Sequence, residues 1–209
     1  MEQRLITFEG IDGCGKSTQA ELLRDFLRGK GENIILVREP GGTTISEQIR
    51  SILLDPVNKD MNPTTETILL SASRAQLTRE VILPSLEEGI TVLCDRYADS
   101  TLAYQGYGRG LPISWLENLN EFATQGKIPD ATILVDVPIR TALQRLRGKS
   151  IDRIEREGNN FLKRVRDGYL ILAEKHAERY IVIDGTKSVN SIHSKILKIL
   201  EDRRTLWRN

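Results

Sequence analysis

The sequence predicts an α/β fold of three layers, in which helices cover both faces of one parallel sheet of five strands. Five short apolar runs, at residues 5–8, 34–37, 90–94, 131–135 and 180–183, are nearly continuous instead of alternating, which is typical of strands buried on both faces. The segments between them repeat apolar residues at helical spacing. This alternation of strands and helices implies right-handed crossovers between parallel strands.

The predicted helices carry apolar faces and recognisable start signals. Thr44 with Glu47 has the pattern of a capping box, and Asn62 followed by Pro63 resembles an N-cap and a first helical position. Pro84 interrupts the next helical pattern, so we expect a kink or a break there. The apolar stripes of the first and last helices consist of Leu22, Leu23, Phe26, Leu27, Ile192, Ile196, Ile199 and Leu200.

Composition indicates one domain, residues 1–209, with no nucleic-acid partner. Thirty basic and 29 acidic residues give a net charge of +1, which argues against a surface that grips nucleic acid along its length. Cys14 and Cys94 are too few for a disulfide framework and fit a reducing compartment. The sequence shows no signal-peptide pattern and no stretch long enough to span a bilayer. We therefore expect a cytoplasmic protein that binds neither nucleic acid nor a membrane.

Polar residues stand where each predicted strand ends. In open parallel sheets, ligands bind outside the carboxyl ends of the strands, so we expect these side chains to converge on one crevice. A polar strand end can also simply face solvent. The residues concerned are Glu9, Arg38, Asp95, Arg96, Asp136 and Asp184.

A phosphate-binding loop lies between the first strand and the first helix. Its glycines let consecutive backbone N–H groups turn towards phosphate oxygens, and the helix N-terminus adds a positive end. Lys16 is expected to reach the β and γ phosphates, and the Ser17 hydroxyl to ligate Mg²⁺. The predicted ATP-binding residues are Gly10, Ile11, Asp12, Gly13, Cys14, Gly15, Lys16, Ser17 and Thr18.

The loop alone does not separate a kinase from a GTPase or a mechanical ATPase. Arg38 and Arg96 follow the second and third strands, and two guanidinium groups beside the loop suit a second phosphate. A kinase for a nucleoside monophosphate or a deoxynucleoside fits this arrangement. A P-loop switch is the alternative from another class, although the chain lacks an Asn-Lys-x-Asp guanine signature.

A charged stretch after the fourth strand predicts a mobile lid at about residues 147–160. Its centre has one glycine and little apolar content, so we expect a loop between two helices that closes over the triphosphate. A run of charges can also be a solvated face. The basic residues of this stretch include Arg145, Arg147, Lys149, Arg153 and Arg156.

The ordered set of motifs resembles the thymidylate kinase family over most of the chain. It consists of the phosphate loop after Phe8 and Glu9, followed by the segments 38–43, 73–74, 95–97, 100–101, 104–106, 108–110 and 152–155. The resemblance implies a P-loop nucleoside monophosphate kinase fold. It also implies phosphoryl transfer from ATP to dTMP, giving dTDP and ADP for dTTP synthesis, with Mg²⁺ as cofactor and a homodimer as the assembly.

The same resemblance implies roles around the phosphates. Arg38 and Arg96 would hold the phosphate of dTMP, while Asp95 would arrange the phosphates or the water shell of the metal. Asp12 would contact the 3′-hydroxyl of the sugar. Lys16 and Arg96 would act on the transferred group as catalytic residues.

The resemblance also implies where the catalytic arginine lies. Some family members carry an arginine inside the phosphate loop, and others supply one from the lid. Gly13 stands at the loop position in question, so the chain resembles the lid type. Arg153 is then the candidate for the third catalytic residue.

For the nucleoside, the resemblance implies a hydrogen bond from Arg74 to a thymine carbonyl. Tyr104 would crowd the 2′ position against a ribose hydroxyl. Leu70 departs from the family pattern, in which an aromatic ring often stacks on thymine at this point. The base and sugar pocket would be completed by Ser100, Thr101 and Gln105.

Overall fold

The computed structural model describes residues 4–148, 153–154 and 157–203. Its five strands form one all-parallel sheet in the order β2-β3-β1-β4-β5, which confirms the predicted fold class. Each strand ends one residue beyond the predicted apolar run, on the polar residue that follows it. The strands are β1 (Leu5–Glu9), β2 (Ile34–Arg38), β3 (Thr91–Asp95), β4 (Ala131–Asp136) and β5 (Tyr180–Asp184).

The helices of the described residues pack on both faces of this sheet, as the alternation predicts. Two apolar clusters of buried side chains fill the space between helices and sheet. Within the described part of the chain, no helix is both long and apolar enough to cross a membrane. The helices are α1 (Lys16–Gly29), α2 (Thr44–Leu54), α3 (Pro63–Leu77), α4 (Leu83–Glu87), α5 (Ala98–Thr101), α6 (Ile113–Thr124), α7 (Ile139–Leu146), α8 (Asn159–Lys175) and α9 (Val189–Asp202).

Of the two predicted helix starts, one is confirmed and one is wrong by a residue. Asn62 accepts a hydrogen bond from the Thr64 N–H, with Pro63 in the first turn of α3. The N-cap of α2 is Thr43 instead of Thr44, because the Thr43 hydroxyl accepts the Ser46 N–H at 3.2 Å. Two adjacent threonines made this boundary ambiguous in sequence.

The break predicted at Pro84 is confirmed. Helix α3 ends at Leu77, a π-helical segment occupies residues 78–82, and α4 begins at Leu83. Proline has no N–H to donate to the preceding turn, so a regular α-helix cannot continue through this position.

The sheet register brings the functional strand ends together. Asp95 at the end of β3 lies opposite Phe8 of β1 on one side and opposite Arg38 of β2 on the other. The loop that follows β1 therefore begins beside both Arg38 and Asp95. This is the edge of the sheet where open parallel folds bind ligands.

Candidate active site

The phosphate loop connects β1 to α1 and needs glycine for its path. Gly13 has a φ of +80°, and a Cβ added there would lie 2.5 Å from the carbonyl oxygen of Ala142 on α7. Gly15 has a φ of +100° immediately before the first residue of α1. Left-handed backbone at both positions turns the chain back over the N-terminus of α1, where a phosphate binds.

Lys16 and Arg96 share one carboxylate at the mouth of this loop. The Lys16 Nζ lies 3.1 Å from Asp12 Oδ1, and an Arg96 guanidinium nitrogen lies 2.7 Å from the same oxygen. Burial alone would raise the pKa of Asp12, but the two cations outweigh it and hold that pKa well below its usual range. A phosphate that binds at the loop is therefore close to two positively charged side chains, Lys16 and Arg96, which Asp12 already holds near each other.

Ser17 and Asp95 present oxygen atoms suited to a hard cation. The Ser17 hydroxyl donates to Asp95 Oδ2 at 2.5 Å. The other oxygen, Asp95 Oδ1, is buried and has no hydrogen-bond partner among the described residues. Mg²⁺ takes oxygen ligands and usually keeps several of its waters, so a hydroxyl and a carboxylate beside the phosphates fit this metal.

A cavity of about 240 Å³ opens in front of the loop. Lys16 and Ser17 form part of its wall, which agrees with a phosphate end at this point. All nine side chains predicted to bind the acceptor line this cavity, namely Asp12, Arg38, Arg74, Asp95, Arg96, Ser100, Thr101, Tyr104 and Gln105.

The two arginines predicted to bind the acceptor phosphate differ in how firmly they are held. Arg38 is half-exposed and forms one ion pair, with Glu47 at 3.0 Å. Arg96 is mostly buried, donates to the hydroxyls of Tyr104 and Tyr169 at 3.0 and 3.2 Å, and has a left-handed backbone with φ of 70°. Arg96 is thus fixed before any ligand binds, while Arg38 keeps freedom to adjust.

Arg74 lies in the cavity wall, and its guanidinium group already donates hydrogen bonds to several protein partners. It donates to Glu39 at 2.7 Å, to Thr101 and Asn120 at 2.7 and 2.8 Å, and to the Tyr97 carbonyl at 3.0 Å. A hydrogen bond from Arg74 to a thymine carbonyl would have to share a hydrogen with one of these partners. Such a bond remains a prediction.

Part of the cavity wall is aliphatic. Leu70 lines it together with Leu54 and Ile154. Where the family pattern has an aromatic ring, this cavity therefore has three aliphatic side chains, which can cover the face of a base without aromatic stacking.

Arg153 is the predicted catalytic residue that the structure does not bring to the phosphate loop. Its guanidinium is buried, pairs with Glu66 and donates to the Leu53 carbonyl at 2.8 Å, while its backbone N–H donates to the Leu54 carbonyl at 3.3 Å. None of these partners belongs to the loop. Of the predicted lid, residues 149–152 and 155–156, which include Asp152 and Glu155 of the family motif, lie outside the described residues.

Glu66 is the residue of this site that sequence reasoning missed. Its carboxylate is completely buried and accepts from Arg109 at 2.6 and 2.8 Å and from Gln105 at 3.0 Å, in addition to Arg153. Burial raises its pKa, yet Arg109 and the other donors outweigh burial and lower it. An acidic residue in the first turn of a helix is expected to cap the helix, and nothing local in the sequence distinguishes Glu66 from that role.

Three strand-end residues do not line the cavity, contrary to the prediction: Glu9 is buried at the end of β1, and Asp136 and Asp184 bond elsewhere. Asp136 accepts both bonds of a bidentate pair with Arg166, at 2.6 and 2.7 Å, and Asp184 accepts from Thr186. They end β4 and β5, on the far side of β1 from β2 and β3. This side instead supplies Arg145 of α7, which donates to the Cys14 carbonyl of the phosphate loop at 3.0 Å.

Comparison with known proteins agrees with this geometry. The sequence matches the thymidylate kinase family profile over residues 8–196. It is 45% identical over 201 residues to a thymidylate kinase of Thermoanaerobacter sp. (strain X514), covering 96% of this chain and 98% of that one. It is 50% identical over 194 residues to a thymidylate kinase of Kosmotoga olearia, covering 92% of this chain and 93% of that one.

A solved structure gives the same result in three dimensions. The crystal structure of thymidylate kinase from Ehrlichia chaffeensis superposes with a TM-score of 0.79 at 35% sequence identity, covering 96% of this chain and 100% of the other. The fold thus agrees with that of a relative matched over nearly the whole chain. The chain therefore belongs to the thymidylate kinase family and phosphorylates dTMP to dTDP.

Proposed function

We propose that the phosphate loop binds ATP with Mg²⁺, and that the cavity in front of it binds dTMP with the phosphate between Arg38 and Arg96. The observation that carries the proposal is that Lys16 and both arginines line one cavity. Two polyanions can then lie end to end, with cations on both sides of the transferred group. Phosphoryl transfer depends mainly on such positioning and charge neutralisation.

In the proposed reaction, a phosphate oxygen of dTMP attacks the γ phosphorus of ATP. A new O–P bond forms, the bond from the γ phosphorus to the β–γ bridging oxygen breaks, and ADP leaves with the electron pair. The attacking oxygen is ionised near neutral pH, so no strong base is required. Lys16 and Arg96 hold the charge that develops, and Mg²⁺ bound beside Ser17 and Asp95 adds Lewis-acid neutralisation of the phosphates.

The nucleoside is held by the remaining cavity residues. Asp12 takes the sugar 3′-hydroxyl, and Tyr104, whose hydroxyl lies 3.2 Å from Asp12, excludes a 2′-hydroxyl. Arg74 reaches the thymine carbonyl by sharing one of its hydrogens. Ser100, Thr101 and Gln105 complete the walls around base and sugar.

Arg153 is proposed to serve as the catalytic arginine from a lid at about residues 147–160. A Cβ at position 13 would lie 2.5 Å from the Ala142 carbonyl oxygen, so this loop position has no room for an arginine, which supports a source outside the loop. To act as the catalytic arginine, Arg153 must leave its ion pair with Glu66 and bind phosphate oxygens instead. Arg109 stays bidentate on Glu66 during this exchange, so no buried carboxylate is left unpaired.

Replacing Arg153 tests this role. The Arg153→Ala variant should lower turnover by roughly a thousandfold or more while leaving ATP affinity largely intact. Arg147→Ala is the matched control from the same stretch. If Arg153→Ala keeps near-normal turnover, the catalytic charge comes from another residue.

A homodimer in the cytoplasm is proposed as the working form. Phe122 on α6 is 83% exposed, and Ala75 on the neighbouring α3 lines the same shallow groove. Ile68, two turns before Ala75 on α3, is also exposed and extends this apolar face. Cys14 and Cys94 are both free and buried, as suits a reducing compartment. Light scattering should give a dimer mass for the parent chain and a monomer mass for Phe122→Glu.

Acceptor specificity is tested by a substrate screen with ATP against dTMP, dUMP, UMP, CMP, AMP and thymidine. We expect the highest kcat/KM with dTMP. The Leu70→Phe variant, assayed in parallel, should sharpen the preference for thymine by adding a stacking ring. A preference for any other acceptor would overturn the assignment of this cavity to dTMP.

A further inference from the structure

We propose that Glu9 is a positioning residue for Arg96, acting through Tyr169 and Ser100, and that it determines how tightly the acceptor phosphate is held. The inference rests on the proposed role of Arg96 in binding that phosphate. Glu9 is fully buried at the end of β1 and does not line the acceptor cavity, so any effect on the ligand has to pass through other residues.

Glu9 first fixes the backbone at Arg96. The Tyr97 N–H donates to Glu9 Oε1 at 2.8 Å, and the Arg96 N–H donates to the Phe8 carbonyl at 3.0 Å. These bonds hold both peptide groups next to a residue whose φ of 70° is unusual for a side chain other than glycine. The left-handed turn brings the Arg96 side chain back towards the phosphate loop.

Glu9 also sets the orientation of two hydroxyl groups. Ser100 Oγ and the Tyr169 hydroxyl donate to Glu9 Oε2 at 2.6 and 2.8 Å. Each hydroxyl has one hydrogen, and giving it to Glu9 leaves the oxygen lone pairs available. One Arg96 guanidinium nitrogen donates to these same oxygens at 3.3 and 3.2 Å. The carboxylate thus makes both hydroxyls acceptors for Arg96.

The opposite side of the guanidinium faces Asp12, with 2.7 Å between Arg96 and Asp12 Oδ1. Asp12 lines the cavity and competes there with an incoming phosphate, whereas the Glu9 group remains inside the protein. Of the other charges near Glu9, Asp99 is paired with Arg179 at 2.6 Å. Because burial raises the pKa of Glu9 to about 7, Glu9 is ionised above that pH, and its carboxylate is then the buried counter-charge that keeps Arg96 in place when phosphate displaces Asp12.

A glutamine at position 9 would reverse this polarity. If its amide oxygen keeps the Tyr97 N–H, its NH₂ group faces Ser100 and Tyr169 and donates to them. The two hydroxyl oxygens are 2.8 Å apart, so one hydroxyl can donate to the other. The remaining hydrogen then points at Arg96, and the guanidinium loses at least one acceptor. The shape of the side chain is preserved, so the effect isolates the charge and the direction of the hydrogen bonds.

The experiment compares Tyr169→Phe with Tyr97→Phe, each of which removes one buried phenol hydroxyl. The Tyr97 hydroxyl donates to the Lys127 carbonyl at 3.3 Å and lies near Thr78, and among the described residues it forms no hydrogen bond with Arg96. We expect Tyr169→Phe and Glu9→Gln to raise KM for dTMP by roughly tenfold with KM for ATP nearly unchanged. Tyr97→Phe should change neither constant. Equal KM values for dTMP in the two phenylalanine variants would overturn the proposal, even if Glu9→Gln does not fold.

An Arg96→Lys background separates this inference from the role of Arg96 itself. If Arg96→Lys leaves KM for dTMP unchanged, the proposed phosphate site is wrong. If it raises KM, adding Tyr169→Phe should raise KM no further, because both changes act on the same interaction. A full additional tenfold increase would show that Tyr169 acts independently of Arg96.

Discussion

Replacing Glu66 with glutamine removes the buried negative charge that two guanidinium groups share. The Glu66 side chain is 0% exposed, and the side chains of Arg109 and Arg153 are 10% and 5% exposed. Loss of the charge leaves Arg153 without its carboxylate in a region that water barely reaches, while Arg109 keeps its ion pair with Glu157 at 2.8 Å. Removing one partner of a buried pair costs about 3–5 kcal/mol, and for a chain of this length that lowers Tm by about 6–20 °C.

The matched control is Glu47→Gln. Glu47 pairs with Arg38 at a similar distance of 3.0 Å, but their side chains are 44% and 48% exposed. Exposed pairs contribute about 0–1 kcal/mol, so this variant should change the free energy of unfolding very little.

Urea unfolding at neutral pH, followed by far-ultraviolet circular dichroism, measures both variants. A double variant Glu66→Gln with Arg153→Leu should recover part of the loss, because it removes the stranded charge. If Glu66→Gln lowers the free energy of unfolding no more than Glu47→Gln does, this expectation is wrong. In that case burial would not be what makes this carboxylate important.

Three further outcomes follow from the site. Burial, with the nearby Asp99 charge, raises the pKa of Glu9 from 4.5 to about 7, so folding favours its protonated form. The resulting stabilisation is fully present below about pH 4.5 and is lost as the pH rises through 7. In unfolding titrations between those two pH values, the free energy of unfolding of the parent chain should fall by roughly 3 kcal/mol relative to that of Glu9→Gln. Gly13→Arg should lower Tm and leave kcat without any gain, because its Cβ meets Ala142 at 2.5 Å; a faster enzyme would contradict the packing argument. Ser17→Ala should raise the Mg²⁺ concentration needed for half-maximal activity, and an unchanged requirement would remove Ser17 from the metal site.

Local patterns sufficed for the sheet and for most of the site. The strands were predictable because both of their faces are buried, and the phosphate loop because glycines, a lysine and a hydroxyl must occur there in fixed order. Arg38 ends β2 and Asp95 ends β3, so the parallel topology alone places these two cavity residues side by side.

The contacts that span long stretches of sequence were not predictable. Glu66 joins Arg153, which is 87 positions later, and Glu9 joins Tyr169, which is 160 positions later. Helical periodicity assigns Tyr169 to a buried face but does not reveal which partner its hydroxyl meets. The family resemblance suggested that Arg153 binds phosphate, whereas the described structure pairs it with a buried carboxylate, and only packing distinguishes the two.

The strand order places the phosphate loop between two groups of strands that serve it differently. Strand β1 lies in the middle, with β3 and β2 on one side and β4 and β5 on the other. The side chains that face the acceptor, such as Arg38 and Arg96, come from the first side. On the second side, Arg145 donates to the Cys14 carbonyl of the loop and to the Gly185 carbonyl, which lies beyond the end of β5. The phosphate loop thus lies between a flank that supplies arginines to the cavity and a flank that braces the loop itself, and we expect the acceptor to enter from the first flank.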